Sequence, residues 1–353
     1  EMKMKTKAIT AVMIMLFLAS ISVSAVLAQT TVVVSPIHMD GWDWYVTSAD
    51  GIGEFVAGPD TPPMGVGSAH LFTGTQGDWS AEIRNTDYAG TELSDLTALS
   101  YWTYVTQWNG QQAPYIILHL DLDGDGAWDD LLFFEPAYQT PTSGNPSLPD
   151  QGLPTLNQWQ DWDALVGGWW SLNSIAGATP GTGVKSLADY LAVEPDAVIV
   201  NTAAGLGGIR LVVGWASSTD VFNGYVDGFT IGVTGTETTY DFEPFLNVNI
   251  DIKPGSYPNS INLGSKGVVP VAVLGSETFD ASTVDPSTVE FANAHPVRWT
   301  MEDVNNDGYM DMLFFFNTRD LSLIGGSTEA TLIGATVGGQ SIQGTDTVNI
   351  VPK

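Results

Sequence analysis

Apolar and polar residues alternate over short runs along most of the chain, and Gly, Pro, Asn and Asp close the runs off. This pattern predicts strands joined by turns rather than helices. In the first two thirds the clearest runs are 98–106, 115–120, 130–134, 209–214 and 225–233. The last third repeats the style at 248–252, 268–274, 289–291, 313–316, 330–333 and 347–351, enough for a small sandwich of about 100 residues. One helix is predicted over 186–193, with Ser186 as its N-cap and Glu194-Pro195 ending it.

Tryptophan divides the chain. Eleven of the twelve precede residue 240 and only Trp299 follows it, which places a domain boundary near the polar segment 235–244. Residues 1–28 read as an export signal, with Lys3, Lys5 and Lys7 before an apolar stretch and small residues at Val26-Leu27-Ala28. The expected product is therefore secreted, outside the cell or at its surface, with no membrane insertion. Beyond residue 28 stand eight bases against 39 acids, a balance that argues against nucleic acid and anionic membranes as partners. Cysteine is absent, so disulfides cannot staple the loops, and metal ions are the available substitute.

Two segments suggest where such ions sit. Asp121-Leu122-Asp123-Gly124-Asp125-Gly126-Ala127-Trp128-Asp129 and Asp303-Val304-Asn305-Asn306-Asp307-Gly308-Tyr309-Met310-Asp311 share acidic or amide residues at identical offsets, and each runs into an apolar strand. Ca2+ needs six to eight hard oxygens around one point, and alternate side chains of a tight turn converge on it while Gly permits the bend. The expected ligands are Asp121, Asp123, Asp125, Asp129 and the carbonyl of Ala127 in the first loop. In the second they are Asp303, Asn305, Asp307, Asp311 and the carbonyl of Tyr309. Without a cation these carboxylates repel one another. An EF-hand does not fit, because its twelfth-position Glu is replaced by Leu132 and Phe314.

The loops resemble the strand-loop-strand calcium turn of integrin-type β-propellers, although two copies so far apart cannot build a propeller. Residues 249–349 resemble a module recurrent in secreted and cell-surface proteins of bacteria and archaea. The resemblance is carried by Ile250-Asp251-Ile252-Lys253-Pro254-Gly255-Ser256, by 258–262, by 267–275, by 284–289 and by the Asp303 loop. It implies an accessory β-sandwich of multidomain exported proteins, with no established catalytic role. The segment 225–231 is similar to the closing strand of jelly-roll carbohydrate-binding modules, in which an Asp at this point helps hold a structural calcium, and that implies Asp227 as a third metal ligand. The fold class expected is all-β, with two β-sandwich domains, jelly-roll-like over 29–244 and immunoglobulin-like over 245–353.

Catalytic signatures are weak. The four His are scattered, no nucleophile elbow or phosphate loop is present, and acid pairs such as Asp161/Asp163 and Asp241/Glu243 are expected by chance at this acidity. Aromatic content is the better lead. Trp159, Trp162, Trp169 and Trp170 lie in a Gly-rich polar stretch and are expected to stack on sugar rings, whereas Trp102, Trp128 and Trp215 read as core. The function expected is a non-enzymatic, calcium-binding surface or matrix protein that binds an extracellular glycan or cell-surface polymer. The alternatives are a polysaccharide-active enzyme, or a filament subunit that self-assembles by strand exchange through Thr31 to Val34.

Overall fold

The computed structural model describes residues 28–75, 80–110, 112–215 and 220–351. The export-signal reading falls, apart from Ala28, outside them. The chain is all-β, of the sandwich type. Two seven-stranded sheets make the first sandwich. One runs in the order Ala28–Val34, Thr236–Phe242, Asn223–Val233, Gly67–Phe72, Ile52–Ala57, with Leu96–Gln107 also along Asn223–Val233 and Trp159–Asp163 outside it. The other is ordered Trp169–Ser171, Asp130–Phe134, Tyr115–Asp121, Ile209–Gly214, Ser80–Asn85, Trp42–Val46, with Val198–Ile199 also along Tyr115–Asp121.

Strand alternation explains why these sheets face each other. Leu71, Leu99, Tyr101, Val226 and Phe229 of one meet Trp42, Ile83, Ile116, Leu118, Leu132, Phe134 and Leu211 of the other in one buried core. Trp42 anchors it with edge-to-face contacts to Phe229, Tyr240 and Phe242 at 5.1–5.3 Å. The segment 235–244, expected as a polar boundary, contains the strand Thr236–Phe242. Its Tyr240 and Phe242 belong to the first core, and the second core begins at Val248.

The second sandwich pairs a four-stranded sheet, Leu246–Asn247, Ser341–Thr347, Glu329–Thr336, Val284–Phe291, with another, Ile250–Ile252, Val268–Val273, Asp311–Asn317, Arg298–Glu302. Its core holds Ile252, Val271, Phe291, Phe314, Phe316 and Leu332. Buried Ser35 ties the two sandwiches together, donating to the Gly339 carbonyl at 2.6 Å and accepting from the Ser341 amide at 3.1 Å.

Local signals hold where they were strongest. The helix is Leu187–Leu191, and Ser186 and Asp189 cap it reciprocally. Thr31 to Val34, the segment considered for strand exchange, pairs in parallel with Thr239 to Phe242 of the same chain. Among the described residues no helix is long and apolar enough to cross a membrane.

Candidate metal centres and an aromatic cleft

The first acidic loop caps the hairpin made by Tyr115–Asp121 and Asp130–Phe134. Carboxylate oxygens of Asp121, Asp123 and Asp129 lie within 4.8 Å of one another. Backbone amides shape the turn around them. Asp121 accepts from Gly124 at 2.7 Å and Gly126 at 2.8 Å, Asp123 from the Asp125 amide at 3.1 Å, and Asp129 from Leu122 at 2.8 Å. These amides, Gly126 foremost, hold the Asp121 carboxyl below its ordinary value and so keep it charged. Gly124 and Gly126 both have positive φ, 79° and 85°, which is why Gly stands at these two points.

The second loop, on the hairpin of Arg298–Glu302 and Asp311–Asn317, repeats the scheme at the same offsets. Asp303 accepts from Gly308 at 3.1 Å, Asn305 from the Asp307 amide at 3.0 Å, Asp307 from Tyr309 at 2.9 Å and Asp311 from Val304 at 2.8 Å. An all-oxygen donor set on a tight Gly-containing turn is of the kind that suits calcium in both loops, and in the first the carboxylates of Asp121, Asp123 and Asp129 already converge. Asp125, Ala127, Asp307 and Tyr309 lie in the turns, Asp125 outside the Asp121–Asp123–Asp129 group, and Ala127 and Tyr309 donate their amides to the carboxylates of Asp125 and Asp307.

Asp227 is fully buried at an irregularity of Asn223–Val233 and accepts from the Met64 and Phe242 amides. Burial pushes its pKa up to about 8. The fold brings it beside Asp241, which is pushed up by burial and then by its own neighbour Glu243. Asp241 Oδ1 and Glu243 Oε2 are buried without a hydrogen-bond partner, so this cluster has acceptors to spare, and among the described residues no ion pair reaches it. The pair Asp241/Glu243, considered from sequence as glycosidase acids, is thus interior.

The four tryptophans expected to bind sugar are separated by the fold. Trp162 and Trp169 are core residues, which corrects the expectation for them. Each lies on the inward face of its strand and turns its indole N–H to an internal acceptor, Thr103 Oγ1 and the Ala164 carbonyl, both at 2.8 Å. Trp159 is half-buried on the opposite sheet and donates to the Pro59 carbonyl. Trp170, next to Trp169 but on the other side of the pleat, points outward and stacks on Phe133 with ring centroids 3.8 Å apart.

That outward face carries a cleft of about 370 Å³. Ile117, Leu131 and Phe133 floor it, Tyr115, Trp170 and Trp215 wall it, and Glu135, Gln112 and Arg210 supply polar groups. Register builds the floor, since Trp170, Phe133, Ile117 and Arg210 are successive cross-strand partners. Trp128 and Trp215 were read as core, but they are 42% and 52% exposed. Trp128 stands in the acidic loop rather than in a strand, and Trp215 follows Ile209–Gly214 in a left-handed conformation, φ 58°, that turns it out of the sandwich.

Charges on this face are divided. Glu82 is fully buried and receives Arg84 Nε at 2.7 Å, Arg210 Nε and Nη2 at 2.8 and 2.7 Å, Ser80 Oγ at 2.6 Å and Trp215 Nε1 at 3.1 Å. Both its oxygens are occupied. Glu135 accepts Trp170 Nε1, at 2.9 Å on Oε1, its buried Oε2 has no partner at hydrogen-bond distance among the described residues, and the Gln112 amide stands nearby. Burial raises the Glu135 pKa, with Trp170 and the nearby Gln112 amide offsetting part of the rise. Sequence reasoning missed Tyr115, Glu135, Arg210 and Trp215 because they come from three separated segments. The usable signal was alternation: if Ile209, Leu211 and Val213 face inward, Arg210 faces out.

No protein-family model and no curated protein matches the chain. Among solved structures, it is similar to a β-1,2-glucanase from Parabacteroides distasonis, 10% identical with a TM-score of 0.28, covering 92% of this chain and 38% of that one. A second is the glycoside hydrolase domain of Endo-D from Streptococcus pneumoniae R6, 12% identical with a TM-score of 0.25, covering 87% of this chain and 37% of the other. The N-terminal domain of a Streptococcus gordonii adhesin is 10% identical with a TM-score of 0.17, covering 81% and 62%. The chain spans less than two fifths of the length of the two hydrolase chains. Scores this low carry no argument about function.

Proposed function

We propose that the chain is an exported, calcium-stabilised binding protein of the cell surface or matrix, and that it takes a glycan in the cleft of its first sandwich. The observation that carries the reading is the aromatic-walled cleft itself. Tyr115, Trp170 and Trp215 present ring surface of the kind that stacks on pyranose C–H faces, and a few polar groups fix orientation. Calcium in the 121–129 loop fastens the hairpin that supplies the cleft floor. The 303–311 loop does the same for the second sandwich, and Asp227 with Asp241 and Glu243 is the third candidate for a cation.

Binding rather than hydrolysis is favoured by the acid count. Glycoside hydrolysis needs two working carboxyl groups, whereas Glu82 is locked by two arginines and Glu135 is the single carboxyl lining the cleft. The test is pull-down on insoluble polysaccharides. Trp170→Ala and Trp215→Ala are expected to abolish retention, and Trp299→Ala, on the second sandwich, to leave it intact. A wild-type chain that no polysaccharide retains sinks the reading.

A further inference from the structure

The cleft has two poles. At one end Glu135 Oε2 is a buried carboxylate oxygen without a hydrogen-bond partner, a costly arrangement unless something donates to it. At the other end lies Arg210, whose Nε and Nη2 are bound to Glu82 and whose Nη1 is 3.3 Å from His119 Nε2. A guanidinium has five N–H groups, so two of them stay free to donate; Glu82 answers only one of the two guanidinium charges, Arg84 and Arg210, and Glu135 is the carboxylate that balances the other. Arg84, the only other base on this face, is held by Glu82 and lies over the Tyr45 ring at 4.1 Å, away from the cleft lining. In the stretch 29–244 the sequence has only one further base, Lys185.

From this arrangement, and resting on the glycan reading above, we infer that the cleft selects an uncharged glycan, with a sugar hydroxyl donating to Glu135 Oε2 and another accepting from Arg210. A hydroxyl is both donor and acceptor, so one neutral sugar satisfies both poles. A uronate or sulfate brings a further charge into a desolvated site whose two guanidiniums, Arg84 and Arg210, are already balanced by Glu82 and Glu135, in a chain of formal charge −29. An ammonium group satisfies Glu135 but meets Arg210. The floor of Ile117, Leu131 and Phe133 is fully apolar and suits the C–H face of a pyranose. At about 370 Å³ the cleft is near the small end for ligand pockets, roughly 300–1,000 Å³, and holds a short stretch of chain.

Native affinity gels test this with the full chain in calcium. The probes are soluble neutral polymers (β-glucan, mannan, xylan, galactan and methyl-esterified polygalacturonan) and acidic ones (polygalacturonate, alginate, hyaluronan). The expected result is retardation by at least one neutral polymer and by none of the acidic ones. Glu135→Gln, which puts an amide where the acceptor stood, should weaken that retardation on the order of 10- to 100-fold. Trp170→Phe keeps the ring stack without the N–H and should weaken it less, and melting curves check that each variant is folded. Retardation by an acidic polymer, or a Glu135→Gln chain that binds like wild type, overturns the inference while the glycan reading stands. Retardation by no polymer at all overturns both.

Discussion

The loops at 121–129 and 303–311 share four amide-to-side-chain hydrogen bonds at identical offsets, and the strands that follow them alternate alike. Leu132 and Phe134 in the first, like Phe314 and Phe316 in the second, point into their cores, while Phe133 and Phe315 point out. The difference lies in what crosses the outward ring. Phe133 is met by Trp170 from a strand 37 residues on, at a centroid distance of 3.8 Å, and that stack walls a cleft. Phe315 is covered by its own neighbour Arg298, whose guanidinium sits 3.5 Å from the ring centroid. One acidic-loop hairpin thus serves twice as scaffold, and the outward ring of the first copy lines a cleft while that of the second lies under an arginine.

Removing calcium from both loops at once is the harshest way to break this comparison. Saturating ion at 100 to 1,000 times its dissociation constant is worth about 3–4 kcal/mol per site, so chelation should lower both unfolding transitions in scanning calorimetry. A trace unchanged by EDTA would mean the shared loops are acidic turns and nothing more. Next in size, Trp162→Ala and Trp169→Ala should each cost about 3–5 kcal/mol and act on the first transition alone, because both rings fill the first core. Equal loss in both transitions contradicts independent sandwiches.

Exchanging one ligand sharpens the comparison further. The first loop offers Asp123 where the second has Asn305, whose Nδ2 donates to Asp307 at 2.9 Å. Fewer ligand charges weaken calcium binding, so Asp123→Asn should loosen the first site and Asn305→Asp tighten the second, each on the order of tenfold in dissociation constant by titration calorimetry.

The smallest effect concerns the cleft alone. Glu135 has a folded-state pKa raised above its ordinary 4.5, so the native state binds its proton more tightly than the unfolded chain does. Stability from this group is present below that ordinary value and is lost as pH rises through the raised one. Glu135→Gln should therefore melt higher than wild type at pH 7, and the advantage should vanish toward pH ~4. A pH-independent difference contradicts the burial of an unpaired acid there.

What the sequence made legible follows from how local each signal is. The strands Asp130–Phe134 and Ile209–Gly214 are readable to the residue because alternation and turn residues bound them. The acidic loops and the Ser186 cap are equally local. Trp169 and Trp170 show the limit: adjacent strand residues must face opposite ways, but which ring faces the core depends on the strand they pair with, Asp130–Phe134. Asp130 escaped notice for a similar reason. It is fully buried and accepts from Ser171, Asn173 and Tyr190, fastening the Trp-bearing segment and the helix to the hairpin, with partners 41 to 60 residues away. The cleft was least legible of all, since it exists only once distant strands are in register.

Native mass spectrometry of the calcium-loaded chain counts the ions directly. The account predicts at least two per chain, with one lost in Asp121→Ala/Asp123→Ala and one lost in Asp303→Ala/Asp307→Ala. A chain that carries no calcium, or a count that neither double substitution changes, contradicts it.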